Sequence, residues 1–154
     1  AYSHWRMEVV RGNETLSFSD AIRSGRERVA QTSNGAHRVF SYVERGFYDA
    51  QLERALSLFP RGQIYFFRTD QMWGQPKTVL GEIENFLQIG PALDPAHRYI
   101  TPTGSGETAP MSASDRRHLD ALFAPSIERA AALAGTDLSD WLRADYEEPM
   151  LNPR

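Results

Sequence analysis

The run QIYFFR constrains the fold more than any other stretch of this chain. Ile64, Tyr65, Phe66 and Phe67 are consecutive apolar residues, set between Pro60 and Gly62 on one side and the polar Thr69–Asp70–Gln71 on the other. A short apolar run bounded by turn residues predicts a strand buried on both faces, over residues 63–68, as in a parallel sheet. Such a strand cannot stand alone, because each backbone N–H and C=O needs a partner. Everything else in the chain reads as helix or loop. The opening AYSHWRMEVV adds a second oddity. Tyr2, Trp5, Val9 and Val10 recur at helical spacing from the first residues, with no capping residue ahead of them. A partnerless strand and an uncapped first helix predict that this is the C-terminal part of a larger α/β domain.

The helices carry their own punctuation. After the first helix, which ends before Gly12, Ser17 and Asp20 form a capping pattern. Phe18, Ala21, Ile22 and Val29 then face inward on a short helix weakened at Gly25. QTSNGAH reads as a surface loop. Tyr48, Leu52, Leu56 and Phe59 make one apolar stripe, stopped by Pro60. Pro76 opens a helix with Val79, Leu80, Ile83, Phe86 and Leu87 inward, ended by Gly90 and Pro91. Residues 91–111 form the longest irregular stretch. Ser112 and Asp115 repeat the capping pattern ahead of Leu119, Leu122 and Phe123, and a separate last helix is predicted from Pro125 to Ala134. Leu138, Trp141 and Leu142 close a domain of residues 1–142, leaving 143–154 as a charged tail.

Composition removes several function classes. With 17 Lys and Arg against 20 Asp and Glu, the net charge is −3, which gives no basic stripe for nucleic acid. No run approaches the ~18 apolar residues of a membrane span. The chain has no cysteine, so it holds no disulfide or thiolate metal site, and this fits a reducing, cytoplasmic setting. The four histidines (His4, His37, His97 and His118) are scattered. None pairs with another at metal-ligand spacing, so no metal is expected.

The order of motifs resembles the C-terminal half of sulfotransferases that use 3′-phosphoadenosine 5′-phosphosulfate (PAPS), especially the bacterial and heparan-sulfate-type branch. AYSHW resembles the end of that family's 3′-phosphate motif, an Arg followed by a Ser that begins a helix. FSDAI resembles the next helix. GFYDAQLERALSLFPRGQIYFFRTDQM resembles the family segment G-x-Y…FP-x-x-Q-I…E-x-L, with Asp70 where the family has Glu. QPKTVLGEIENFLQI and PMSASDRRHLDALFAP…DLSDWL resemble its last helices. The resemblance implies a P-loop-type three-layer α/β/α fold, of which residues 63–68 supply one buried strand. It implies PAPS or its product nucleotide as partner, with a small-molecule or carbohydrate hydroxyl or amine as acceptor. The donor's 5′-phosphosulfate loop and the general base belong to an N-terminal half that would precede residue 1. No catalytic residue is therefore expected here, and residues 1–154 alone are expected to be inactive.

Sulfuryl transfer demands in-line placement and stabilisation of spreading negative charge. Ser3, at a helix start, either contacts the donor's 3′-phosphate or serves as an N-cap, and the two roles are compatible. The loop Thr101–Glu107 is either an anion nest, with Thr103, Gly104, Ser105 and Gly106 offering hydroxyls and backbone N–H groups, or a mobile surface loop. Thr69 lies where ligands gather at the ends of sheet strands; it contacts the adenine or caps the turn with Asp70. Tyr48 reads as core, and Arg116 and Arg117 either face the donor or complete a solvated helix face. Two other classes stay open: a non-catalytic helical interaction module, and a phosphotransferase on a related nucleotide fold.

Overall fold

Two helices of this protein start where a serine stands three residues ahead of an aspartate. In the computed structural model, which describes residues 1–94, 111–143 and 145–146, the Ser17 hydroxyl accepts from the Asp20 backbone N–H at 3.1 Å and donates to the Asp20 carboxylate at 2.6 Å. Ser112 and Asp115 do the same at 3.0 and 2.7 Å. Each pair satisfies an orphan amide of the first helical turn. The helices are α1 (Tyr2–Val10), α2 (Phe18–Ala21), α3 (Glu27–Ala30), α4 (Tyr48–Leu58), α5 (Thr69–Gly74), α6 (Pro76–Leu87) and α7 (Ala113–Ala134), with short 3₁₀ turns between some of them; the two serine caps open α2 and α7. Residues 1–54 with 109–142 make one unit; residues 55–108 with 143–154 make the other.

The first unit has a core of Phe18, Ile22, Val43 and Leu119. Tyr2 and Trp5 of α1, Phe47, and Leu122 and Phe123 of α7 pack around it. Phe18, Ala21, Ile22 and Val29 are all buried, as their spacing predicts. Gly25 does interrupt their helix, which breaks into α2, a 3₁₀ turn over Ser24–Arg26, and α3. The first helix differs from its pattern. Val9 and Val10 are 39% and 87% exposed, while Glu8 is buried. Asn13 and Arg11 hydrogen-bond its carboxylate at 2.7 and 3.1 Å, which lets a charged residue take the inward place. α7 also differs: it runs unbroken through Pro125. The proline removes one i→i−4 hydrogen bond, to the carbonyl of Ala121. Ala121 and Pro125 are both exposed, so water can serve that carbonyl.

The second unit corrects the fold class. Among the described residues there is no strand, so the predicted α/β architecture with a buried strand at 63–68 does not hold. Ile64 is extended (φ −121°, ψ 121°), but the segment joins no ladder. Ile64, Tyr65 and Phe66 are half-buried and Phe67 is 46% exposed. Side chains take over what a sheet would do. The Arg61 guanidinium donates to the Ile64 carbonyl at 2.7 Å and lies 4.9 Å from the Phe66 ring centre. Tyr65 packs on Phe86 of α6 at 5.5 Å and donates its O–H to Glu82 at 2.5 Å. α5 and α6 pack together, with Val79 buried. Pro76 opens α6 as its composition predicts, and Gln88, in the left-handed region (φ 54°), ends it ahead of Gly90.

Candidate functional site

Ser3 sits on a helix that is pinned from behind. The Trp5 indole N–H donates to the Leu16 carbonyl at 3.0 Å. Tyr2 stacks on Trp5 at 5.6 Å and meets the edge of Phe18 at 4.9 Å. These contacts fix the rotation of α1 about its axis. Ser3 and Arg6 therefore face away from the core, one turn apart, together with Met7 and Val10. Ser3 is exposed and Arg6 half-buried. The cap position belongs to Ala1, whose side chain makes no capping bond. Ser3 is thus the second helical residue and not the N-cap, which leaves its hydroxyl uncommitted to capping.

Behind α1 lies a buried polar cluster that the sequence did not announce. Glu14, between α1 and α2, is 4% exposed. Its carboxylate accepts from Arg28 at 2.7 and 3.2 Å, from the Tyr42 O–H at 3.0 Å, and from the backbone N–H groups of Thr15 and Leu16 at 2.8 and 2.9 Å. Burial alone would push this carboxyl up, but those donors outweigh it and hold the group down at about 2. The same burial and the Glu14 carboxylate push the Tyr42 hydroxyl well above its ordinary range. Arg28 stacks on Phe40, 3.8 Å from the ring centre. His4 meets the edge of Tyr42 at 5.0 Å. Its two ring nitrogens are buried without a hydrogen bond, and Nε2 lies 3.7 Å from the Glu8 carboxylate. Burial, then the charge of Arg45, hold its imidazole below the ordinary 6.5. A neutral His4 therefore serves packing. No sequence signal marks the cluster, because Glu14 finds its partners 14 and 28 residues away.

Thr69 is the exposed first residue of α5, in the second unit. The turn before α5 is held instead by Arg68, which binds the Asp70 carboxylate at 2.7 and 3.0 Å, and by the Gln71 side chain, which accepts from the Arg68 N–H at 3.2 Å. Thr103, Gly104, Ser105 and Gly106 lie outside the described residues. Tyr48 is 47% exposed rather than core; its ring tilts against Trp141 at 5.9 Å. Arg116 pairs with Asp120 at 2.7 Å along α7, as a solvated helix face does. Among the described residues no three acidic or histidine side chains converge as a metal site would require, and no helix is long and apolar enough to cross a membrane.

No family model matches the chain. It is 30% identical over 101 residues to the membrane-associated sulfotransferase kil1 of Dictyostelium discoideum, a match that covers 66% of this chain and 21% of kil1. Its fold is similar to the crystal structure of a sulfotransferase from Alicyclobacillus acidocaldarius, with a TM-score of 0.70 and 28% identity, over 92% of this chain and 52% of that one. By sequence and by structure the chain is a sulfotransferase homologue, and the two together support a sulfotransferase family for it. It spans about a fifth of kil1 and about half of the bacterial enzyme.

Proposed function

We propose that residues 1–142 form the C-terminal portion of a PAPS-dependent sulfotransferase domain, which moves a sulfuryl group onto a hydroxyl or amine acceptor, a carbohydrate among the candidates. The observation that carries this reading is the similarity to the bacterial sulfotransferase over 92% of the chain. Ser3 takes the donor's 3′-phosphate. Its hydroxyl can donate to a phosphate oxygen while the first-turn amides of α1 add a favourable dipole. The support for this role is the exposed position of Ser3 on the outward face of a helix whose own cap lies at Ala1. The loop holding Thr103, Gly104, Ser105 and Gly106 supplies further donor contacts, and Thr69 the adenine side. The 5′-phosphosulfate loop and the general base come from outside residues 1–154, so this stretch alone turns nothing over. A cysteine-free sequence supports a cytoplasmic setting; the similarity to kil1, a membrane-associated sulfotransferase, points to a membrane, and fractionation of the full-length protein distinguishes the two.

The test is calorimetric titration of the full-length protein with adenosine 3′,5′-bisphosphate. Ser3→Ala is expected to weaken binding about tenfold, the loss of one hydrogen bond to a charged group. Unchanged affinity removes the 3′-phosphate role from Ser3. Tighter binding of ATP than of the bisphosphate would turn the reading toward a phosphotransferase.

A further inference from the structure

Five half-buried arginines other than Arg6 are described, and each has a carboxylate partner: Arg23 with Asp115 at 2.5 Å, Arg26 with Glu44 at 2.8 Å, and Arg28, Arg68 and Arg116 with Glu14, Asp70 and Asp120 at 2.7 Å. Arg6 is half-buried too, yet among the described residues no carboxylate pairs with it. A guanidinium with no counter-charge beside it can pair with a bound anion. Its neighbours on α1 do not offer one. Glu8, the one acid of that helix, is turned inward to Asn13 and Arg11.

Arg6 shares the outward face of α1 with Ser3, three residues on, where side chains lie one above the other. The pinning of Tyr2 and Trp5 to Phe18 and Leu16 holds that face in place. We propose that Arg6 is a second, charge-bearing contact for the nucleotide's 3′-phosphate, working beside the Ser3 hydroxyl. This rests on the donor-binding reading of Ser3 and adds to it the residue that selects for the phosphate's charge. A planar guanidinium can offer two parallel N–H groups to two phosphate oxygens, which a hydroxyl cannot do. Ser3 then places the phosphate, and Arg6 discriminates a nucleotide that carries it from one that does not.

The experiment titrates the full-length protein with adenosine 3′,5′-bisphosphate and with adenosine 5′-monophosphate, for the wild type, Ser3→Ala, Arg6→Gln and Arg6→Lys, with a thermal melt of each. The wild type is expected to prefer the bisphosphate by about a hundredfold, and Arg6→Gln to lose about tenfold of that preference while its affinity for the monophosphate stays within twofold. Arg6→Lys keeps the stem and the charge, and with them the fold, but not the fork; it is expected to lose at least threefold for the bisphosphate. If the wild type shows no preference between the nucleotides, the donor reading fails and this inference with it. If the preference exists and Ser3→Ala reduces it, while Arg6→Gln retains it in full, Arg6 is not a phosphate contact and the donor reading stands. Should Arg6→Gln fail to fold, an Arg6→Lys protein with wild-type affinity for both nucleotides overturns the proposal just as well.

Discussion

Glu14 is the residue whose chemistry the first unit depends on most. Its carboxylate gathers an arginine, a tyrosine hydroxyl and two backbone amides in a site that is nearly closed to water. Replacing it by Gln leaves Arg28 without its counter-charge and presents an N–H₂ where an acceptor is required. A loss of about 3 kcal/mol is expected, in the range for breaking a buried pair from one side. Chemical denaturation of the two proteins measures it. The pH dependence follows from the same contacts. The folded carboxyl titrates at about 2 against an ordinary 4.5. Its contribution is therefore complete above about 4.5 and disappears as pH falls toward 2. Acid melts of the wild type should steepen across that window, and those of Glu14→Gln should be flatter there. Equal acid limbs in the two proteins would show that the carboxylate is not what the network holds.

At the scale of elements, two joints can be tested. Gly46 ends the 3₁₀ turn Glu44–Gly46 against α7. A Cβ at this position would stand 2.5 Å from the Phe123 ring, closer than carbon atoms approach. Gly46→Ala must push that ring off Phe47, which it meets at 5.3 Å, so a loss of about 2 kcal/mol is expected and a thermal melt reads it. The paired variant Gly46→Ala with Phe123→Leu should recover part of the loss if the ring is the obstacle. The second joint ties the extended segment 64–68 to α6. Tyr65 donates to Glu82, and that bond, then burial, raise its hydroxyl to about 12 from 10.0. The bond stabilises fully below pH 10 and is lost as pH rises through 12. Ultraviolet titration should show one tyrosine ionising near 12 that shifts toward 10 in Glu82→Gln; a titration indifferent to that substitution would mean the joint is open in solution.

For the whole molecule, the sharpest expectation is what residues 1–154 do by themselves. Circular dichroism should show helix without a strand component, given the strand-free described residues. An environment-sensitive hydrophobic dye should bind the native protein, because Leu58, Phe59, Leu87 and Ile89 of the second unit are 65%, 54%, 55% and 45% exposed. No sulfuryl transfer from PAPS is expected; robust turnover by this stretch would sink the proposed division of labour within the domain.

Local rules were legible in the sequence wherever one helical turn decides the outcome. Both Ser–Asp caps, the proline that opens α6, and the buried Phe18, Ala21, Ile22 and Val29 depend on residues within a few positions of one another, and the order of those motifs carries the family. The same reasoning failed where a residue's partner is remote or its burial is shared. Four apolar residues in a row state only that apolar surface must be covered; whether a sheet, or Arg61 and Phe86, covers it is a property of the packed chain. Nothing in the sequence marks Glu8 and Glu14 as buried; that follows from Asn13, Arg11, Arg28 and Tyr42 coming within hydrogen-bond reach. Val9 and Val10 fit an inward pattern that the pinning of Tyr2 and Trp5 turns outward. Sequence determined where α2, α6 and α7 begin and which relatives the chain has, because capping and motif order are short-range. Tertiary structure alone decided which charges are neutralised and that, among the described residues, no carboxylate pairs with Arg6, because a counter-charge is supplied by whatever distant segment the fold brings beside it.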